Sequence, residues 1–439
     1  MSCSCLRGYR LNAGGCLLVE TIIEDVYARK IYDSRGGPTI EVEVVTVDGF
    51  GRASAPAGAS TGTHEVVPFP KGGIDEALRL VNEVVAEKLI GMDSTDQVAV
   101  DDLLHEIDGT DNFSRLGGAA ALAISVAVAK AAASSLGLPL FQYVGGVFAT
   151  EMPFPLGNVV GGGRHAGERA PNVQEFLIIP VGAKSYEEAV ELCIKVHREV
   201  GKMISKLDKS FAGGKGDEGA WAANISDEEA FQVLSEACHS TSHEVGRKIV
   251  LGADFAASSM WVPEEGSYYL RREGRKRTRE EQINYVIEAA ERYDLRYIED
   301  PLHEEDFEGY SLLTKAIGHR VLVCGDDLFT TNAARIKKGL ELRAANAIII
   351  KPNQVGTLTD AYRALRVARA GGLMPVMSHR SGETEDAFIS HLAVGLRCPL
   401  IKAGVMGGER IAKHNELIRI EEMLENVKCM AELPPQLTR

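Results

Sequence analysis

Eight short apolar segments recur between residues 154 and 402, and this repetition constrains the fold more than any other feature of the sequence. The segments are Phe154–Val160, Phe176–Val181, Ile249–Phe255, Arg296–Asp300, Val321–Asp326, Ala345–Lys351, Leu373–Ser378 and Pro399–Lys402. No helix fits between the first two segments, whereas two helical stretches, 185–206 and 227–246, fit between the second and the third. Helical patterns separate most of the others, so the order predicts an α/β fold, a (β/α)8-type barrel arranged as ββαα(βα)6. An open doubly wound sheet is the alternative.

The region before these segments has a different pattern. Alternating apolar and polar residues at 26–31 and 39–44 predict the strands of a β-meander. Helical periodicity covers about 73–89, 95–107 and 115–137, and the alanine-rich composition of the last stretch predicts a buried helix. We therefore expect an N-terminal α+β domain.

Composition divides the chain into four parts. The first twenty residues are rich in Gly, Ser and Cys and show no periodicity, so a disordered extension is expected at 1–20. The cysteines of this extension are one ligand short of a structural zinc site. We place the α+β domain at 21–150, the catalytic barrel domain at 151–430 and a C-terminal tail at 431–439.

Charge and cysteine usage limit the class of partner. The net charge of −14 at pH 7 argues against nucleic acid or an anionic membrane as the main partner, although a few local cations or metal ions would still allow an anionic substrate. Beyond residue 20 the cysteines are scattered singly, which is typical of reduced thiols in a cytoplasmic protein. We expect no membrane span, because no apolar run reaches the required length.

Charged or ionisable residues stand at the ends of most of the predicted barrel strands. They are Glu175 (just before its strand), Asp254, Glu299 with Asp300, Asp326 with Asp327, Lys351, His379 with Arg380, and Lys402. From Asp326 onward, successive members are about one βα unit apart, so they have the same phase in the barrel. We therefore expect these groups at the carboxyl rim, where the active sites of barrel enzymes lie.

Three of these groups form a candidate metal site. Asp254, Glu299 and Asp326 end three consecutive strands, and carboxylates that face one point repel unless a cation neutralises them. Ligands that are all oxygen favour Mg²⁺. The alternative is that the three are helix caps or surface carboxylates. Asp300 and Asp327 are expected to support the site or to cap helices.

A lysine ends the most hydrophobic of the predicted strands. Ile348, Ile349 and Ile350 predict a strand buried on both faces, and Pro352 ends it directly after Lys351. Beside Mg²⁺ and the second lysine, Lys402, a neutral amine is favoured, so we predict a lowered lysine pKa and a general base near neutral pH. A salt bridge to a neighbouring carboxylate is the alternative for either lysine.

The remaining candidates lie in loops. Arg380 and Ser381 are suited to binding a phosphate, with a helix-capping role as the alternative. Two Gly-rich loops, 161–167 and 213–219, carry His165 and Glu218, and we interpret them as lids that bring acid–base groups to the substrate, with plain surface linkers as the alternative. A metal, lysine bases, an acid and an anion clamp together indicate proton abstraction next to a carboxylate.

These residues lie within blocks that resemble the enolase family. The match runs from about Val26 to Glu422. The blocks are ARKIYDSRGGPTIEVEV, AGASTGTHE, GGGRHAG with QEF, GDEG, GADFAAS, IEDP, GDDL, KPNQVGT, SHRSGETED and IKAG. The resemblance implies the reversible dehydration of 2-phosphoglycerate to phosphoenolpyruvate, a small N-terminal domain packed on the barrel, and a homodimer or an octamer of dimers.

The resemblance also implies a role for each site residue. It implies two Mg²⁺ per active site, the second bound with the substrate. The implied roles are Asp254, Glu299 and Asp326 as metal ligands, Ser60 at the second Mg²⁺, Lys351 as the base at C2, Glu218 as the acid at the C3 hydroxyl with Glu175 supporting it, Lys402 at the substrate carboxylate, Arg380 and Ser381 at the phosphate, His379 beside the substrate, and His165 on a closing loop.

The sequence departs from the family pattern in three loops. Ala57 stands where the closing loop usually begins with Ser, His165 and Glu175 are one residue further apart than usual, and 403–410 lacks the usual Thr and Arg-Ser pair. Two other functions therefore stay open: a superfamily member that acts on another carboxylate, and a weakly active paralogue that serves as a binding or scaffold protein.

Overall fold

The computed structural model of the protein describes residues 10–11, 17–58, 62–167 and 169–439, with side chains from Val19 onward within these ranges. Near the N-terminus, strand β1 (Arg10–Leu11) pairs antiparallel with β2 (Leu17–Leu18). The predicted disorder of residues 1–20 falls largely outside the described residues, and it stays a prediction, as do the proposed domain boundaries.

An antiparallel meander begins the N-terminal domain, as predicted. Its strands are β3 (Ile23–Tyr32), β4 (Pro38–Thr46) and β5 (Phe50–Ser54), in the order β3-β4-β5. The sheet packs closely on an alanine-rich helix, because a Cβ atom at Gly51 would collide with the Ala127 carbonyl oxygen. Small residues on both sides therefore allow the close approach of sheet and helix.

The helices of this domain match the predicted stretches within a few residues. They are α1 (Gly73–Leu80), a π-helical turn (Val81–Val85), α2 (Ala86–Leu89), α3 (Gln97–Asp108), α4 (Gly118–Ser135) and α5 (Leu140–Gly145). By length and composition α4 could cross a membrane, which corrects the expectation that no apolar run is long enough. However, 89% of α4 is buried inside the fold, as is typical of a core helix.

The second part of the chain forms the predicted barrel. Its strands are β7 (Phe154–Gly161), β8 (Glu175–Ile179), β10 (Val250–Asp254), β14 (Leu295–Glu299), β15 (Leu322–Gly325), β16 (Ala347–Ile350), β17 (Met374–Ser378) and β18 (Leu400–Lys402). Within the described residues they pair in this order, and β18 pairs back to β7, which closes the sheet. Strand β8 is antiparallel to both of its neighbours, and the other pairs are parallel. A closed barrel excludes the open sheet that was the alternative.

Helices follow the strands in the predicted ββαα(βα)6 order. They are α6 (Tyr186–Leu207), α7 (Asp227–Val245), α8 (Arg279–Arg292), α9 (Phe307–Ile317), α10 (Ala333–Leu342), α11 (Leu358–Ala370), α12 (Phe388–Gly395) and α13 (Gly408–Met423), followed by α14 (Pro435–Thr438). Short strands outside the barrel circle are β6 (Glu151–Met152), β9 (Trp221–Ala222), β11 (Trp261–Val262), β12 (Ser267–Leu270), β13 (Arg275–Thr278) and β19 (Cys429–Met430).

The N-terminal domain lies over the carboxyl rim of the barrel. Ala57 and Gly382, in the loop after β17, exchange backbone hydrogen bonds of 2.7 and 2.8 Å. Asp386 in the same loop accepts a hydrogen bond from the Ser54 amide and forms an ion pair with Lys130. Since Ala57 makes its contact through the backbone, the Ser-to-Ala difference from the family pattern leaves this contact intact.

Candidate active site

Strand register brings the predicted acids together. Asp254 on β10 lies directly opposite Glu175 on β8 and Glu299 on β14. Glu299 pairs with Cys324 on β15, so Asp326, two residues later, extends from the same end of the sheet. These four carboxylates are all at least nine-tenths buried. The common phase predicted from the sequence is therefore present in the fold.

Lys402 is surrounded by three of these carboxylates. Its Nζ atom lies 2.8 Å from Glu299 Oε1, 2.9 Å from Asp254 Oδ2 and 3.1 Å from Glu175 Oε2. Burial lowers the pKa of Lys402, but the three carboxylates outweigh burial and raise that pKa well above its ordinary value. Lys402 is consequently a charged ammonium that neutralises part of the acidic cluster.

Lys351 forms a close ion pair with Asp326, and its backbone amide donates to Thr331 Oγ1 at 3.0 Å. The other Asp326 oxygen accepts a hydrogen bond of 2.9 Å from Gln354 Nε2. Burial lowers the pKa of Lys351, yet the Asp326 carboxylate outweighs it and the net shift is upward. These are the effects of the protein's own groups, which form the alternative salt bridge, and the lower pKa expected for Lys351 beside Mg²⁺ stays a prediction.

Asp300, the second acid of the pair Glu299–Asp300, supports the next acid around the rim, Asp326. Asp300 accepts hydrogen bonds from the Asp326 amide at 2.9 Å, the Asp327 amide at 2.8 Å and the Tyr310 hydroxyl at 2.9 Å. Asp300 thus fixes the backbone that carries Asp326, in agreement with the supporting role expected for it. For Glu299, burial raises the pKa to about 8, against the effect of Lys402.

The two Gly-rich loops meet at the rim. A Cβ atom at Gly216 would collide with the His165 carbonyl oxygen, so the loops pack directly on each other. The His165, Glu175 and Glu218 side chains offer ligand atoms that lie within 4.8 Å of one another. These loops therefore do more than link elements.

Glu218 lies at the tip of its loop in a left-handed conformation, with φ of 67°. Its Oε2 accepts a hydrogen bond of 3.1 Å from Asn158 Nδ2, and its Oε1 lies 3.3 Å from His379 Nε2. Burial, followed by the Glu218 carboxylate, raises the pKa of Glu175 well above its ordinary value. Burial and the neighbouring carboxylate thus favour the protonated form of Glu175.

Arg380 is already paired with a carboxylate from the N-terminal domain. Its Nη1 lies 2.8 Å from Glu65 Oε2, and its Nη2 lies 3.2 Å from Glu65 Oε1. Both side chains are nearly fully buried. Ser381 is buried beside them. The predicted anion clamp thus faces the same cavity as the acids, and an acid from the other domain contacts it.

The structure places most of the predicted site residues in the lining of one cavity. Glu299 is not part of this lining, because it is fully buried against Lys402, and Ser60 falls outside the described residues. Sequence reasoning missed Glu65, Asn158 and Arg410, which contact site residues. Asn158 could have been found as a polar residue inside an apolar strand, but Arg410 lies in α13 and no local pattern marks it.

Comparison with known proteins agrees with this geometry. A family model described as "Enolase, C-terminal TIM barrel domain" matches residues 149–432, and one described as "Enolase, N-terminal domain" matches residues 23–144. The chain is 52% identical to a protein named enolase from Methanosphaera stadtmanae over 415 residues, which cover 94% of the chain and all of that protein. It is 52% identical to the enolase of Methanothermobacter thermautotrophicus, and the match covers 95% of the chain and 100% of that protein. It is 53% identical to the enolase of Archaeoglobus fulgidus, and that match covers 93% of the chain and 99% of that protein.

Proposed function

The chain belongs to the enolase family and is a phosphopyruvate hydratase, and on this premise we propose how the residues at its barrel rim carry out the reaction. This hydro-lyase interconverts 2-phosphoglycerate and phosphoenolpyruvate with loss of water, a step of glycolysis and gluconeogenesis. A weakly active binding paralogue and an enzyme for another carboxylate are not favoured, since identity near one half extends over almost the whole chain.

We propose that Asp254, Glu299 and Asp326 hold a divalent cation, and that this cation is Mg²⁺. The donor chemistry fits, because the three side chains offer oxygen atoms alone and stand at or just after the ends of adjacent strands. Lys402 lies against two of these carboxylates, Asp254 and Glu299, and Lys351 lies against Asp326, so a divalent cation held by the three would take over the contacts of the two ammonium groups. When bound, the ion supplies positive charge that stabilises negative charge on the substrate carboxylate.

A second Mg²⁺, bound together with the substrate, is a further part of the proposal. Ser60 is its proposed protein ligand. Support for this ion comes from the AGASTGTHE block alone, because Ser60 lies outside the described residues.

Lys351 is the proposed base that removes the C2 proton. Its amine lies at the end of β16, in the wall of the cavity. A charged lysine cannot accept a proton, so the amine must first be freed from Asp326. Burial, followed by the positive charges of Arg380 and Lys402, then favours the neutral amine, because these are the influences that lower the pKa of Lys351.

Glu218 is the proposed acid at the C3 hydroxyl, with Glu175 as its support. The Glu175 carboxyl, whose protonated form is favoured, lies close enough to Glu218 to act as a source of its proton when the hydroxyl leaves. His379 Nε2 lies next to Glu218 Oε1 and faces the same space. The leaving group thus departs into a set of buried donors rather than into bulk water.

The cations of the rim are the proposed binding groups. Lys402 is assigned to the substrate carboxylate, Arg380 and Ser381 to the phosphate, and His165 to the loop that closes over the substrate. Arg380 offers a planar fork that suits phosphate geometry, and its buried position strengthens the interaction. Support for these assignments is the single cavity that all four side chains line.

We also propose a cytoplasmic protein that assembles as a homodimer or as an octamer of dimers. Free thiols at Cys193, Cys238, Cys324, Cys398 and Cys429 support a reducing compartment. The assembly rests on the family resemblance, and native mass spectrometry of the purified protein will distinguish a monomer, a dimer and an octamer.

The observation that carries the proposal is the convergence of acids, lysines and the Arg380 clamp on one rim cavity. Purified protein is incubated with 2-phosphoglycerate and Mg²⁺, and phosphoenolpyruvate is followed by its ultraviolet absorbance, with EDTA as the control. We expect product that depends on Mg²⁺. Absence of such product would exclude the proposal.

Two variants separate the proposed roles of base and acid. Lys351→Ala is expected to abolish exchange of the C2 proton with solvent, because the base is missing. Glu218→Gln is expected to retain that exchange and to block dehydration, because only the later step needs the acid. Proton exchange is measured by NMR in deuterated buffer. Equal loss of exchange in both variants would refute the division of roles.

A further inference from the structure

His379 follows β17 directly and is almost fully buried, with both ring nitrogens in defined surroundings. Its Nδ1 lies 2.8 Å from Arg410 Nη1. Its Nε2 lies 3.3 Å from Glu218 Oε1, yet it makes no well-aligned hydrogen bond with any residue that the structure describes. His379 is also part of the lining of the cavity that is proposed to receive the substrate.

Arg410 is held rigidly in its position. Its guanidinium donates hydrogen bonds to the carbonyl oxygens of Arg380 and Ser381, and its Nε lies 3.2 Å from Glu409 Oε1. The side chain is among the largest that are fully buried. Arg410 consequently has little freedom to turn away from His379.

The chemistry of the two groups fixes the protonation of the imidazole. A guanidinium has N–H donors and no acceptor, so His379 Nδ1 must be the acceptor of the 2.8 Å hydrogen bond. The remaining ring proton then lies on Nε2. A doubly protonated ring would place two donors against each other in a buried site, and this arrangement is strongly disfavoured.

We propose that Arg410 is a positioning residue of the dehydration step, which keeps His379 as the neutral tautomer with its proton on Nε2. This inference rests on the proposed roles of Glu218 and His379. In that tautomer His379 presents a fixed N–H donor to Glu218 and to the departing hydroxyl. His379 therefore orients the acid and the leaving group, and it does not carry the proton itself.

The electrostatic surroundings of His379 agree with this role. Burial lowers the pKa of His379 to about 4, the positive charge of Arg410 acts in the same direction, and Glu218 and Glu383 oppose it. Glu383 is itself paired with Lys413 at 2.8 Å. These surroundings thus favour a neutral ring at neutral pH.

The tautomer can be observed directly in the unmodified protein. Histidine labelled with ¹⁵N is incorporated, and the His379 signals are assigned by their loss in His379→Gln. We expect an unprotonated Nδ1 and a protonated Nε2 from pH 5.5 to pH 8. A protonated Nδ1, or a titration within that range, would overturn the proposal without any variant of Arg410.

A double-mutant cycle tests the functional consequence. Arg410→Met is expected to lower dehydration about 100-fold, to leave C2 proton exchange largely intact, and to introduce a titration of His379 into the pH profile. In the His379→Gln background, Arg410→Met should have little further effect. Arg410→Lys retains a donor and should recover part of the activity.

The control is Arg419→Met on the same helix, α13, whose side chain is 60% exposed. Arg419→Met should leave the rate of dehydration and the rate of C2 proton exchange unchanged. If Arg410→Met lowers dehydration equally with His379 and with Gln at position 379, Arg410 acts through the Arg380 and Ser381 carbonyls, and the proposal is wrong. Turnover by the parent protein tests the phosphopyruvate hydratase reaction separately, so the two hypotheses fail independently.

Discussion

Replacement of Lys402 by Met tests the charge balance on which the proposed metal site depends. The Lys402 ammonium lies 2.8–3.1 Å from the carboxylates of Glu175, Asp254 and Glu299. Met fills a similar volume but leaves these buried acids without that cation. Removal of one partner of a buried ion pair costs about 3–5 kcal/mol. We therefore expect the free energy of unfolding to fall by about this amount in buffer that contains EDTA.

Addition of Mg²⁺ should reverse most of this loss. Lys402 and the proposed ion share Asp254 and Glu299, so in the parent protein the ammonium competes with the metal. Without that competition, Mg²⁺ should bind the Met variant about 100-fold more tightly, since about 3 kcal/mol corresponds to a factor of about 100. The assay is urea unfolding followed by tryptophan fluorescence, with saturating Mg²⁺ and with EDTA.

Lys413 provides the matched control. It is fully buried and forms an ion pair of 2.8 Å with Glu383, outside the proposed metal ligands. Lys413→Met should lose a similar free energy, with the same loss in Mg²⁺ and in EDTA. The reasoning is refuted if Lys402→Met also loses equally under both conditions, because the acids around Lys402 would then not be the metal site.

Two further predictions concern a buried histidine and the anion clamp. Burial lowers the pKa of His414 to about 4, so as pH falls below 6.5 the unfolded chain takes up a proton first and the fold loses stability. Between pH 6.5 and pH 4, the free energy of unfolding of His414→Gln should therefore fall by up to about 3 kcal/mol less than that of the parent protein, as measured by urea unfolding. The control is the exposed His239→Gln, which should fall as the parent protein does. The same dependence of unfolding free energy on pH in both variants would contradict this prediction. Glu65→Gln removes a negative charge beside Arg380, so KM for 2-phosphoglycerate should fall several-fold in steady-state assays, and a higher KM would show that Glu65 assists the clamp instead.

The barrel and its rim were predictable because both produce a local pattern of apolar and charged residues in the sequence. A strand that is buried on both faces must be continuously apolar, and Ile348–Ile350 show this pattern without interruption. A charged residue directly after such a strand is unusual, and Lys351 therefore indicates the position of the barrel rim from the sequence alone. Most observed strand ends lie within one or two residues of the predicted ends. The agreement is close because the buried part of a strand and the apolar run in the sequence are the same residues.

Contacts between distant segments left no such mark. Glu65 and Arg380 are 315 residues apart, and Arg410 and His379 are on different elements. Which carboxylate meets which cation depends on side-chain reach across the assembled rim, and periodicity carries no information about reach. The close ion pair between Lys351 and Asp326 is a further contact of this kind, since only the assembled rim shows which carboxylate the lysine meets.

The rim cations all have carboxylate partners from the protein: Lys402 with the β8, β10 and β14 acids, Lys351 with Asp326, and Arg380 with Glu65. An anionic substrate competes with these acids for the cations, and a divalent cation competes with the lysines for the acids. We therefore expect each ligand to release the protein groups that the other one needs. Since such coupling is reciprocal, the factor by which Mg²⁺ raises substrate affinity must equal the factor by which substrate raises Mg²⁺ affinity. From the pairing of rim charges we therefore expect the two binding events to be cooperative before any chemical step occurs.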